Sequence, residues 1–104
     1  MDGKLATYYK VLSNPVRLRI FMYIAENSES FSKPKQESCV SEISKAIGIP
    51  QPTASNHLRA LKRVGLVKST SVGTRCYQYV TKDAAEYLLR HTQHIFEQAS
   101  KSPY

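Results

Sequence analysis

Between Ile43 and Lys82 the chain contains no aspartate and no glutamate, yet seven basic residues stand there: Lys45, Arg59, Lys62, Arg63, Lys68, Arg75 and Lys82. The other 64 residues carry eight basic and eight acidic groups, so the formal charge of +7 belongs wholly to this acid-free stretch. Charge sorted by position in this way points to a polyanionic partner. Cysteine is scarce too. Two thiols, Cys39 and Cys76, cannot build a disulfide framework, and a reducing cytoplasm is the expected compartment. Long apolar runs are missing: the longest, Ile20 to Ala25, is far too short to cross a bilayer, and the N-terminus lacks the basic-then-apolar pattern of a signal peptide. No repeat or heptad array is visible. What remains, 41% hydrophobic and 22% charged over 104 residues, is the composition of one globular domain spanning residues 1–104.

Read along the chain, Leu5 to Leu12 forms a short helical run with Leu5, Tyr8, Tyr9 and Leu12 sharing a face. Asn14-Pro15 reads as an N-cap followed by a proline where its missing N–H costs nothing, opening a largely apolar helix from Val16 to about Glu26. Residues 27–38 (NSESFSKPKQES) are polar, with a proline and four serines, and are expected to form a long loop. Val40 to Ile47 carries Val40, Ile43 and Ile47 on one stripe before Gly48, and Pro50-Gln51-Pro52 begins a helix that runs to about Val64 and stops at Gly65. Leu66–Ser71 and Arg75–Thr81, rich in Val, Thr and Tyr, flank the turn Val72-Gly73-Thr74 as a β-hairpin. A last helix spans Asp83 to about Ser100. The expected class is mainly α (α+β), in the order α-α-α-α-β-β-α.

Helix, glycine turn, helix and hairpin make a winged helix-turn-helix, with the helix pair over about 40–64 and the wing over about 66–81. Winding residues 51–64 at about 100° per residue gathers Ala54, Leu58 and Leu61 on one side, flanked by His57 and Val64. Pro52, Ser55, Asn56, Arg59 and Arg63 gather opposite. An apolar stripe backed by a cationic, hydrogen-bonding face without a carboxylate suits a helix that enters a major groove. The candidate contacts to double-stranded DNA are Gln51, Thr53, Ser55, Asn56, Arg59, Lys62, Arg63, Lys68 and Arg75. Asn and Gln can pair bidentately with adenine, Arg59 can reach a guanine or a phosphate, and Arg63, Lys62, Lys68 and Arg75 suit phosphates, Arg75 from the wing in or near a minor groove. Blander roles compete: Thr53 and His57 lie at the edge of the buried stripe, Pro50 and Pro52 start the helix, and Lys62 can be a solvated helix residue.

The segments Asn14-Pro15-Val16-Arg17-Leu18-Arg19-Ile20, Glu37 to Ile43, Gly48 to Leu58, Leu61 and Gly65-Leu66-Val67 resemble the arsenical-repressor (ArsR/SmtB) family of transcriptional regulators. Its Q-P-T-x-S-x-H-L core followed by G-L-V spans Gln51 to Val67. The resemblance implies a homodimer in which the first and last helices (about 5–12 and 83–100) form the interface. Two recognition helices then read an inverted repeat, and repression is relieved by a ligand. Two departures stand out: residues 27–38 are longer than usual, and Pro50 replaces the usual serine cap. The residues also favour a second copy. The last helix has apolar groups on adjoining rows, more than one side of a small core needs, and Leu5, Tyr8, Tyr9, Leu12, Leu88, Ile95, Phe96 and Ala99 are the candidate interface.

A sensor site is harder to find. Founding members of the family bind a soft metalloid through C-V-C, and here the pattern is Cys39-Val40-Ser41, a lone thiol. A second arrangement places carboxylate and imidazole ligands on the last helix; Asp83, His94 and Glu97 echo it, but the fourth position falls on Thr81, a poor ligand. No cofactor is required by this reading, no metal site is assigned, and the inducer stays unknown. Cys39 at a helix start and Cys76 on the wing are expected to lie far apart, which argues against a regulatory disulfide. The main alternative is a winged helix used as a protein- or RNA-interaction module, and a narrower one is a metal- or redox-responsive repressor. An enzyme is excluded, since no nucleophile elbow, phosphate loop or closed metal pattern is present.

Overall fold

A computed structural model describes residues 3–30, 33–34 and 38–101. Its helices are α1 (Gly3–Leu12), α2 (Pro15–Glu26), α3 (Val40–Ile47), α4 (Gln51–Arg63) and α5 (Lys82–Ser100). Its strands are β1 (Ser28–Ser30), β2 (Lys33–Pro34), β3 (Val67–Val72) and β4 (Arg75–Val80). The order α-α-α-α-β-β-α is present, with β1 and β2 added inside it.

Local chemistry explains most boundaries. Asn14 caps α2, its Oδ1 accepting the Arg17 backbone N–H at 3.0 Å, and Pro15 occupies the first turn. Gly48 and Gly65 end α3 and α4 at φ +80° and +83°, a region where a Cβ is strained. Pro50 precedes α4 with extended backbone and makes no side-chain cap, as expected for a residue without a donor or an acceptor beyond its carbonyl. Strands β3 and β4 pair in unbroken antiparallel register from Val67↔Val80 to Val72↔Arg75, closed by a two-residue turn at Gly73-Thr74.

Within the stretch 27–38 the described residues are not simply a loop, while 31–32 and 35–37 lie outside the described residues. Ser28↔Pro34 and Ser30↔Lys33 pair antiparallel with an irregular register, and a bridge Cys39↔Tyr77 carries the pairing onto the edge of β4. Polar segments still have backbone groups to satisfy, and pairing satisfies them without the apolar alternation by which a strand is recognised in sequence. Pro34 sits where proline is tolerated, on an edge.

The core lies where α2, α3, α4 and the base of the hairpin meet. Ile20, Ile24, Ile43, Leu61, Leu66 and Val67 have no exposed surface, and Ala54, Leu58 and Val80 join them. Helix α1 contributes Tyr8, whose ring meets Tyr87 of α5 edge-on at 5.6 Å. Thr81 then ties three elements together. Its N–H bonds Leu66 O at 3.1 Å, its hydroxyl donates to Gly65 O at 2.7 Å, and the same oxygen accepts the Ala84 N–H at the start of α5. Beyond His91, every residue of α5 through Lys101 is exposed. At about 1.5 Å per residue this leaves the outer half of the helix projecting well clear of the core.

Candidate nucleic-acid interface

Helix α4 lies on α2 and α3 through Ala54, Leu58 and Leu61, all buried, so its opposite face must look outward. Gln51, Pro52, Thr53, Asn56, Arg59, Lys62 and Arg63 are exposed and Ser55 is half-buried. Arg59 donates from Nη1 to Asn56 Oδ1 at 3.0 Å, so the amide and the guanidinium, one turn apart, form a single polar unit on this face. Arg63 and Lys62 also occupy the last turn, where cations complement the helix dipole.

At the flank of α4, His57 Nδ1 is shut from solvent and has no hydrogen-bond partner among the described residues, as is Arg17 Nε from α2. Desolvation by burial, and then the Arg17 charge, hold the His57 imidazole below its usual pKa. The ring therefore belongs to the α2–α4 packing at the edge of the buried stripe.

Grooves flank the wing. One, about 490 Å³, lies between the start of α3, the start of α4 and the wing tip, with Gln51 and Arg75 on its walls. Another, about 440 Å³, lies between α4 and β4, with Ser55, Arg59 and Lys62 on one wall and Gln78 on the other. Gln78 is buried, its Oε1 accepting from Ser69 Oγ at 2.7 Å. Arg75 is therefore brought beside the helix. Lys68 is not. It lines neither groove: paired with Tyr79, it shares with Arg75 the wing face opposite Ser69 and Gln78, and only Arg75, at the wing tip, reaches the first groove. Lys45, basic but given no role in the sequence reading, joins the first groove beside Gln51. Its position in the acid-free stretch was the available signal.

The two thiols are closer than expected. Cys39 pairs with Tyr77, the neighbour of Cys76, and both cysteines line the first groove, Cys39 buried and Cys76 exposed. The sequence could not place them so, because the bridge is a long-range pairing. Asp83, His94 and Glu97 do not gather within the chain. Asp83 and His94 are separated by about 16 Å along one helix, Glu97 accepts from Gln93 at 3.3 Å, and no group of three potential metal ligands occurs among the described residues. Thr81 is committed to capping α5.

The expected interface residues divide. Tyr9, Ile95, Phe96 and Ala99 are exposed, Phe96 by 70%, and Leu89, missed in the sequence reading, by 65%. Leu5, Leu12 and Leu88 are half-buried. Tyr8 corrects the expectation: only 4% exposed, it is consumed by its own core against Tyr87 and leaves little surface for a partner.

A helix braced across a glycine turn by a second one, with a cationic outer face and a hairpin beside it, defines a winged helix-turn-helix protein. The helix-turn-helix domain family matches residues 12–70. An uncharacterized HTH-type transcriptional regulator of Methanocaldococcus jannaschii is 33% identical over 87 residues, which are 84% of this chain and 89% of that protein. The HTH-type transcriptional repressor SmtB of Mycobacterium tuberculosis is 30% identical over 91 residues, 86% of this chain and 61% of the repressor. A homodimeric winged helix-turn-helix DNA-binding domain from Mycobacterium bovis, a possible ArsR-family transcriptional regulator, superposes with a TM-score of 0.68 at 28% identity. That match covers 98% of this chain and 87% of the other. The chain belongs to the ArsR/SmtB family of helix-turn-helix transcriptional regulators. It is a regulator and not an enzyme. Among the described residues no helix is long and apolar enough to cross a membrane.

Proposed function

We propose that this regulator is a homodimeric repressor, acting in the cytoplasm, that reads an inverted repeat in double-stranded DNA. Helix α4 enters the major groove, and Asn56, Ser55 and Gln51 meet base edges. Arg59 is aimed by Asn56 towards a guanine or a phosphate; Thr53, Lys62, Arg63 and Arg75 hold the backbone. Lys68, on the far face of the wing, serves as a peripheral phosphate contact. The observation that carries the reading is the outward face of α4: exposed amides and cations, with no carboxylate on the helix at all. A protein-binding winged helix has no need of such a face.

Dimerisation rests on the outer half of α5, where Ile95 and Phe96 are 54% and 70% exposed on a segment that projects from the core. Two copies joined there would present two reading helices to half-sites about one turn of DNA apart. The reading needs no resident metal or other cofactor. The inducer is not assigned.

Selection of bound duplex from a random pool tests the proposal, because it yields the preferred site, its symmetry and its spacing together. The expected result is a two-fold symmetric site whose affinity falls steeply and linearly in log–log form with salt. An asymmetric site would sink the dimeric reading, and weak salt-insensitive binding would favour the protein- or RNA-interaction module. Removing metal with a chelator is expected to leave duplex affinity unchanged; a loss restored by Zn²⁺ would make the protein metal-dependent.

A further inference from the structure

The hairpin sorts its side chains by chemistry. Alternation along β3 and β4, in the register Lys68↔Tyr79, Thr70↔Tyr77 and Val72↔Arg75, gathers these residues on one face. The other face carries Val67, Ser69, Ser71, Cys76, Gln78 and Val80, and Gln78 on it walls the groove beside α4. Every aromatic ring and every cation of the two strands therefore stands on the face turned away from α4, and neither strand contains a carboxylate. Packing does not account for the rings. Tyr77 and Tyr79 are half-buried, yet among the described residues neither belongs to the hydrophobic cluster that engages Tyr8 and Tyr87. Neither meets another ring or a cation, and neither phenol makes a hydrogen bond among those residues. Two residues apart on one strand, the rings stand about 7 Å from each other, a step that one nucleotide of an extended strand can span. Exposed Arg75 lies one further step along β4, and exposed Lys68 sits across from Tyr79 at about 5 Å between Cα atoms.

We infer that the outer face of the wing is a second nucleic-acid site, one that takes unpaired strands. Bases stack on Tyr77 and Tyr79 while Lys68 and Arg75 hold the flanking phosphates. The chemistry of the face selects the occupant. Cations without a carboxylate suit a polyanion, and paired rings suit bases that are not already stacked inside a duplex. An acidic peptide would satisfy the charges and leave the rings idle. The site goes beyond duplex reading by α4 and uses a surface that α4 does not share; only Arg75, at the wing tip, is common to both.

The experiment uses the intact chain, with fluorescence anisotropy of labelled oligothymidine and oligouridine of about eight nucleotides. Tyr77→Val with Tyr79→Val, which keeps strand-forming residues but removes both rings, is expected to weaken oligonucleotide binding at least about tenfold. Tyr77→Phe with Tyr79→Phe, which keeps the rings, is expected to bind like wild type. Both pairs are expected to hold the duplex recovered by selection with unchanged affinity, and thermal unfolding verifies that they fold. Ultraviolet cross-linking to the wild-type chain, followed by peptide mass mapping, needs no variant and is expected to place adducts on Tyr77 and Tyr79. Tighter binding of oligouridine would point to RNA and tighter binding of oligothymidine to melted DNA, and either supports the inference. Three results overturn it while the reading of α4 stands: duplex binds but single strands do not, the valine pair binds strands as wild type does, or polyglutamate displaces them equally well. If single strands bind with the expected dependence on the rings and no duplex is held, the reading of α4 fails and this site remains.

Discussion

Helix α4 and the outer half of α5 both face solvent, and they do so with opposite chemistry. On α4 the apolar groups Ala54, Leu58 and Leu61 are all turned inward, and the wet side is made of amides and cations. On α5, Leu89, Ile95 and Phe96 remain in water although the helix has a core to offer them to nearer its start. Burying α4's outer face would strip cations of hydration without partners, whereas burying α5's would gain about 1.5–3 kcal/mol for each large apolar side chain fully covered. One surface therefore suits a charged polymer and the other suits apolar protein, and in the proposed dimer a second copy of α5 supplies the latter. The lesson is that exposure alone names no partner; the composition of the exposed face does.

The comparison can be broken most forcefully on the α5 side. Replacing Ile95 and Phe96 together by glutamate is expected to remove roughly 3–6 kcal/mol of association. Sedimentation at micromolar concentration would show a monomer, with the helical circular dichroism kept because neither side chain is part of the core. A variant that still sediments as a dimer would place the interface elsewhere. The inner side of α4 comes next. Leu61→Ala, at a site with no exposed surface, is expected to cost about 2–5 kcal/mol in urea unfolding. A cost under about 1 kcal/mol would mean that the stripe is not what seats the reading helix.

On the outer side of α4 the effects are smaller and fall on recognition. Asn56→Ala and Arg59→Ala are each expected to cost about 1–3 kcal/mol on the preferred duplex and to relax its sequence preference. Because Arg59 donates to Asn56 at 3.0 Å, the double variant should depart from additivity by about 0.5 kcal/mol or more; additive losses would show that the two side chains work separately on DNA. Arg75→Ala, by contrast, should weaken all sequences alike and lower the salt slope by about one. The smallest expected effect is a pH slope. His57 has a folded-state pKa below its ordinary 6.5, so the unfolded chain binds more protons between the two values. Its contribution to stability is complete above about pH 6.5 and is lost as pH falls through the depressed folded value. Unfolding midpoints for His57→Gln measured across that window should show a shallower slope than wild type, and an unchanged slope would assign the titration to another group.

Much of this was legible beforehand because its causes are local. Asn14-Pro15, Gly48 and Gly65 fix helix ends through single residues, and the Ala54–Leu58–Leu61 spacing fixes which way α4 faces, so the fold and the outward face of α4 could be drawn from the sequence. What was hidden depends on pairings between distant segments. The β1–β2 pairing carries no apolar alternation, and the Cys39↔Tyr77 bridge that brings Cys39 alongside Cys76 has no sequence signature. Tyr8 and Tyr9 are adjacent and chemically identical. Only the position of Tyr87 decides that the first goes inside and the second stays out. Lys68 is likewise basic and exposed, and shares its wing face with Arg75; that only Arg75 reaches a groove follows from its place at the wing tip, which depends on register and not on composition.

Thr81 carries the last consequence. One hydroxyl donates its proton to the carbonyl at the stop of α4 and, with a lone pair, accepts the N–H that begins the long terminal helix. The two elements share a hinge pin rather than a tether. In the proposed dimer, torque on the projecting rod would be delivered to the spot where α4 ends, so the pitch at which paired heads approach a duplex would be set by how two rods lean on each other, far from the bases themselves.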